Sequence, residues 1–204
     1  MDIQSIFSID ISNHISTQRY QAAEVLVKEN QELKYLLYLT SGRAKCCITQ
    51  ENGKISIVDL VTAPCFLGDL ELVGVQKSAS GVIAITDCIC QKIDLQDCRE
   101  LILQDVKFLQ FLCQTLGKKA IRNATYISMI QTYPLRNRLI TFLLQMQNNG
   151  IYTGSLTEAA DYLGVSYRHL LYVMAQLVDE GLLKKINGMY QLSNMKRLME
   201  EKIL

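Results

Sequence analysis

The chain has 204 residues, 49% of them hydrophobic, with 21 Lys and Arg against 20 Asp and Glu and a net charge of +1. That is ample apolar material for one medium domain or two small ones. The near-neutral balance excludes a general polybasic coat.

In chain order, the first twenty residues are short and mixed in character and fit a small helix. From Ala23 the texture becomes that of strands. Glu24–Lys28 reads as a short strand, and Leu36–Leu39 begins an apolar run that ends at Ser41-Gly42. Ala44–Gln50 and Lys54–Val61 flank Asn52-Gly53, a dipeptide suited to a type I′ hairpin, whose two central residues both need positive φ. Gly81–Ile85 and Cys88–Ile93 add further strands. Short strands at this spacing predict an antiparallel roll or barrel.

Near Leu95 the texture switches to helices. Leu95–Leu103 reads as a short one, and a much longer one follows over Val106–Gln131. Leu109, Leu116, Asn123 and Ile130 recur every seven residues, with Cys113, Ala120 and Ile127 between them. That spacing predicts the seam of a helix pair, hence a homodimer. Pro134 breaks this helix and opens the next, Leu135–Met146, which ends at Asn148-Asn149-Gly150.

Thr157–Leu163 is a helix with Leu156, Ala159, Ala160 and Leu163 inward, followed by Gly164 where the chain turns tightly. Ser166 caps a second helix with apolar positions Leu170, Val173, Met174 and Leu177. Tyr167, Arg168, His169 and Tyr172 lie on its early, outward turns. This is the layout of a helix-turn-helix reader of double-stranded DNA. Arg168 can pair with guanine O6 and N7, worth about 1–3 kcal/mol of discrimination. Tyr167, His169 and Tyr172 can reach phosphates or thymine methyls, and Thr157 a phosphate. Asp179–Lys185, Asn187-Gly188 and Met189–Leu192 read as a β-hairpin wing, with Lys184, Lys185 and Asn187 as backbone contacts. Arg136 and Arg138 are expected to pair with acidic residues near the hinge. Charge agrees with this division. Residues 1–104 carry nine Lys and Arg against thirteen Asp and Glu, and residues 105–204 carry twelve against seven.

The seven cysteines, at 46, 47, 65, 88, 90, 98 and 113, form no Cys-x-x-Cys pair. Alternation places Cys88 and Cys90 on one strand face and splits Cys46 from Cys47. With no signal peptide legible, free thiols in a cytoplasmic protein are expected, mostly as small buried hydrophobes. Cys65, read as a loop residue before Gly68, leaves a thiol switch open. The longest uncharged run, Leu139–Thr157, is interrupted by Gln, Asn and Gly and is not a membrane span. No nucleophile–base pair, phosphate loop or metal spacing stands out, and only His14 and His169 are histidines, so an enzyme is not expected.

The order roll, long helix, winged helix-turn-helix resembles the catabolite activator/fumarate-nitrate regulator (Crp/Fnr) family of bacterial transcription factors. Tyr38-Leu-Thr-Ser-Gly42, Glu51-Asn-Gly-Lys54, Phe66-Leu-Gly-Asp-Leu70 and Ala84-Ile-Thr-Asp-Cys88 are similar to family motifs in order and interval, and Ser166–Tyr172 is closest to the YeiL-type branch. The resemblance implies an α+β chain. It would comprise a cyclic-nucleotide-binding-like sensor roll (a double-stranded β-helix) over 1–104, a dimerisation helix over 105–132 and a winged helix-turn-helix domain over 133–204. It implies a homodimeric transcription regulator, with RNA polymerase as a further partner and a small-molecule effector of unknown identity. An alternative is a thiol- or small-molecule-responsive sensor acting mainly through protein interaction.

The resemblance places effector-pocket candidates at Gly68, Asp69, Leu70, Ser78, Ala79, Asn123 and Ala124. In the cyclic-AMP-binding members a glutamate holds the ribose, an arginine-serine pair the phosphate and a polar pair the adenine. Asp69 stands for the glutamate and is shorter, and Ser78-Ala79 for the arginine-serine pair, with no cation. Asn123-Ala124 keeps half of the polar pair. A buried phosphate left uncompensated costs several kcal/mol, so cyclic AMP is not expected. Asp69 is expected to be structural and Glu71 solvated. The iron-sulfur members carry an N-terminal cysteine cluster that residues 1–45 lack. No cofactor is assigned.

Overall fold

The computed structural model describes residues 3–76 and 79–203. The chain divides into two compact units, Met1–Ile48 with Val58–Arg122 and Thr49–Ile57 with Asn123–Leu204. It has the α+β architecture of an antiparallel roll, a long helix and a winged helix-turn-helix.

The helical character expected of the first twenty residues takes the form of 3-10 turns and not of an α-helix. Two short 3-10 turns, Ile3–Ile6 and Ser12–His14, lead into strand β1, Ile15–Tyr20. Ser16–Arg19 are exposed because β1 is an edge strand paired only with β8, so no apolar alternation marks it. Then come β2 (Val25–Val27), β3 (Tyr35–Ser41), β4 (Arg43–Thr49), β5 (Ile55–Thr62), β6 (Cys65–Leu67), α1 (Asp69–Leu72), β7 (Gly81–Ala84) and β8 (Cys88–Asp94). They build two four-stranded sheets, ordered β1-β8-β3-β6 and β2-β7-β4-β5. Cys65 is thus a strand residue, opposite Leu39, and not the loop residue expected.

Strand β3 explains the continuous apolar run. Leu37 and Leu39 enter the core between the sheets with Leu26, Val82, Cys88 and Cys90. Leu36 and Tyr38 point the other way, into a cluster with Ile3, Phe7, Phe66 and Ile93. A strand buried on both faces has no polar positions to alternate with. The β4–β5 turn differs from expectation, since only Gly53 has positive φ and Asn52 does not. The Gly53 amide donates to the Gln50 carbonyl, so the hairpin closes without a type I′ turn.

Helix α2 (Leu95–Gln104) is capped by Asp94, which accepts the Gln96 amide. The 27-residue α3 (Val106–Thr132) begins at Asp105. This buried carboxylate accepts the amides of Lys107 and Phe108 on one oxygen and of Ser8 and Ile9 on the other. Burial raises the Asp105 pKa, but the Phe108, Ser8 and Ile9 amides outweigh it and hold the carboxyl below its usual range. Leu109, Phe111 and Leu116 pack on the roll's own cluster. Of the expected seam, Cys113, Ala120, Asn123 and Ile127 face solvent, and a stripe of small and apolar residues continues from them. It runs through Cys113, Gly117, Ala120, Ala124 and Ile127, in alternating steps of four and three, with Ile121 beside it.

The second unit holds α4 (Leu135–Met146), β9 (Ile151–Tyr152), α5 (Leu156–Leu163), α6 (Tyr167–Asp179), β10 (Leu183–Ile186), β11 (Met189–Leu192) and α7 (Met195–Glu201). The wing is a three-stranded sheet, β10-β11-β9. Here the Asn-Gly signal behaves as the turn chemistry requires. Asn187 and Gly188 both have positive φ, and Ile186 faces Met189 across a two-residue loop.

Candidate nucleic-acid interface and sensor pocket

Ser155 accepts the Glu158 amide and starts α5, and Ser166 accepts the His169 amide and starts α6. Between them Gly164 sits in the left-handed region at φ 65°, its amide returned to the Ala160 and Asp161 carbonyls. Leu170, Val173, Met174 and Leu177 are buried. Tyr167, Arg168, His169 and Tyr172 are exposed, with Tyr172 at 63%. Thr157, Ser166, Lys184, Lys185 and Asn187 are exposed as well. Lys184 and Lys185 stand on β10, an edge strand of the wing.

The turn is held from behind by residues that carry no sequence motif. Tyr126, near the end of α3, donates its hydroxyl to the Tyr162 carbonyl at 2.8 Å, with the two rings 5.0 Å apart. Arg138 donates to the Leu163 carbonyl at 2.6 Å and to the Tyr133 carbonyl at 3.1 Å. It meets carbonyls, not the acidic partner expected. These two side chains occupy the last carbonyls of α5, which a helix end leaves unpaired. Burial pushes the Tyr126 phenol far up, so it remains a donor at physiological pH. At the other end of α6, Arg136 grips Glu180 with two nitrogens and Glu201 with its remaining pair of contacts, and Arg197 bonds both acids. Arg136 thus finds acidic partners, but at the ends of α6 and α7 and not at the hinge.

Within the roll, charges face one another. Asp69, 4% exposed, opens α1 and pairs with Lys119 of α3 at 2.5 Å; the same ammonium donates to the Phe66 carbonyl at 3.1 Å. Asp59 of β5 pairs with Arg122 one turn further along α3. Burial raises the Asp59 carboxyl despite the opposing pull of Arg122 and Lys119. Glu71 is half-buried, not solvated as expected, and burial raises its pKa too. The nearby thiols are desolvated, which pushes Cys46 up to about 12 and Cys65 to about 11. Among the described residues, no group of three or more His, Cys, Asp or Glu is placed to hold a metal ion. Among them, too, no helix is long and apolar enough to cross a membrane.

Residues 17–105 match the family model of the cyclic nucleotide-binding domain. Regulatory protein YeiL of Escherichia coli O157:H7 is 41% identical over 192 residues, 94% of this chain and 88% of that protein. The chain belongs to the Crp/Fnr family of transcription regulators. Solved Crp/Fnr structures share its fold. A regulator from Eubacterium rectale aligns with a TM-score of 0.75 at 17% identity, over 94% of this chain and 91% of that one. Another, from Thermus thermophilus, gives 0.70 at 21% identity, over 91% and 97%.

Set on the Crp/Fnr pattern, the effector-pocket candidates divide. Gly68, Asp69 and Leu70 adjoin at the start of α1, with Asp69 already neutralised by Lys119. Ala79 is buried and offers no polar side-chain atom. Ser78 lies outside the described residues, as does Lys77. Asn123 and Ala124 are exposed on α3. Reasoning from the sequence did not find Lys119 or Tyr126, and it singled out Arg138 but expected an acidic partner for it. The available signal was the Lys118-Lys119 pair, two adjacent cations in the middle of α3.

Proposed function

We propose that the protein is a homodimeric, sequence-specific DNA-binding regulator of transcription, and not an enzyme. It would dimerise along α3, read DNA with α6 and act through RNA polymerase. The observation that carries this reading is the division of α6. One face is locked into the core by Leu170, Val173, Met174 and Leu177, while Tyr167, Arg168, His169 and Tyr172 stand free on a capped first turn. A recognition helix needs that division to enter a major groove. Lys184 and Lys185 supply phosphate contacts from the wing, and Thr157 and Ser166 from the helix starts. The small residues Gly117, Ala120 and Ala124 on the exposed face of α3 allow a second copy of the helix to approach closely.

The functional segments we assign are a sensor roll over 1–104, the dimerisation helix over 105–132 and the reader over 133–204. The roll does not take cyclic AMP in this reading, because Lys119 engages the Asp69 carboxylate and Ala79 brings no hydroxyl. A thiol signal from inside the roll is disfavoured, since burial keeps Cys46, Cys65 and Cys90 protonated and poorly nucleophilic. The test is selection of bound duplexes from a random pool, with and without cyclic AMP and reducing agent. A two-fold symmetric motif with half-sites about one helical turn apart is expected in every arm. A monomer that enriches no sequence would overturn the proposal.

A further inference from the structure

A cleft of about 570 Å³, open to solvent on one side, lies on the roll between β1, β2, β3 and β8 and the 28–35 segment. Gly68, Asp69, Leu70 and Lys119 do not line it, and of the described candidates only Ala79 does. Its apolar wall comes from Leu26 and Leu37, both members of the core between the sheets, with Tyr20 beside them. Its charged groups are Lys28, Lys34 and Lys92 against the single carboxylate of Glu32. Lys92 follows Cys88 and Cys90 in steps of two along β8, so it projects from the same inner face of the sheet. There its ammonium stands 3.4 Å from the centroid of the Tyr35 ring, a position that steadies a cation near apolar surface. Among the described residues none of the three lysines forms an ion pair.

An apolar wall with a few convergent polar groups is the usual construction of a small-molecule site. We propose that this cleft is the effector site and takes a small amphipathic anion. Its hydrocarbon or aromatic body lies against Leu26 and Leu37, and its carboxylate, sulfonate or phosphate head meets Lys92, with Lys28 and Lys34 beside it. The inference rests on the roll being the sensor, and it moves the signal away from the Asp69–Lys119 pair.

The probe is 8-anilinonaphthalene-1-sulfonate, titrated by fluorescence into the full-length protein, with N-phenyl-1-naphthylamine as its uncharged counterpart. One saturable site per chain is expected. Lys92→Gln should weaken the sulfonate about tenfold and leave the uncharged probe unchanged. Val25→Trp, at an exposed lining position, should block both probes without altering the melting curve, and Asp69→Asn should affect neither. No saturable binding, or equal response of both probes to Lys92→Gln, would overturn the proposal. Because the titration contains no DNA, its failure is distinct from failure of the duplex selection, which is run without the probe.

Discussion

The roll and the reader arrange their charges in opposite ways. In the reader, Arg168, Lys184 and Lys185 stand outside a core from which polar side chains are excluded. In the roll, Asp69 is turned inward and is answered by Lys119. The outward charges add little to stability and remain available to a partner. The inward ones are part of the scaffold, because a charge removed from water must be met by another. The same residue types thus carry recognition on the outer face of α6 and the wing, and architecture in the Asp69–Lys119 pair and in the ring of Arg136, Glu180, Arg197 and Glu201.

The largest effect should come from breaking the inward pair. Asp69→Ala leaves the Lys119 ammonium without its carboxylate and should destabilise the first unit by roughly 3 kcal/mol in urea denaturation. Asp69→Leu combined with Lys119→Met should recover most of that loss. If Asp69→Ala were as mild as a surface substitution, the contrast between the units would fail.

Arg168→Ala should do the reverse. Discrimination at one base-pair position should fall by roughly 1–3 kcal/mol in competition binding, while the melting temperature stays at the parent value. A drop in stability comparable to that of Asp69→Ala would remove the distinction drawn here.

Tyr126→Phe sharpens the comparison within the second unit, where α3 meets the turn of the reader. It keeps the ring contact with Tyr162 but deletes the hydroxyl that meets the Tyr162 carbonyl. The cost should be about 1 kcal/mol in denaturant. DNA affinity should also weaken, because the carbonyl at the turn loses its fixed donor.

The smallest effect concerns pH. Hydrogen bonds from Arg136 hold the Glu180 and Glu201 carboxyls below their ordinary values. The stability they add is present above the unfolded value of 4.5 and is lost as pH falls through the lower folded values. Both sit at the surface, so the loss should be slight. It should appear as a shallow acid slope in the melting temperature that Arg136→Gln reduces, with Arg197 still holding both carboxylates.

The reader was largely legible because its signals are local. The Ser166 cap, Gly164 and the three-four spacing of Leu170 to Leu177 lie within fourteen residues of one another. The roll's charged interior was not, because Lys119 answers Asp69 across fifty positions of chain and no spacing rule connects them. The two Asn-Gly dipeptides show how far a local signal reaches. At 187–188 the flanking strands pair directly and both residues take positive φ, whereas at 52–53 only the glycine does. Strand β1 escaped notice because an edge strand exposed along most of its length shows no alternation. The seam expected on α3 divides, because Leu109 and Leu116 serve the roll's own core while Cys113, Ala120, Asn123 and Ile127 face solvent.

The four-membered ring of Arg136, Glu180, Arg197 and Glu201 has a consequence for descent. It fastens the root of α6 to α4 and α7 by contacts that involve none of residues 167–172. The helix is anchored at its C-terminal end and along its inner face, while the outer side chains of its first two turns stay bare. Substitutions at Tyr167, Arg168, His169 and Tyr172 therefore meet no structural veto. A lineage carrying this chain can change what these side chains read one residue at a time, while the ring and the core keep every intermediate folded.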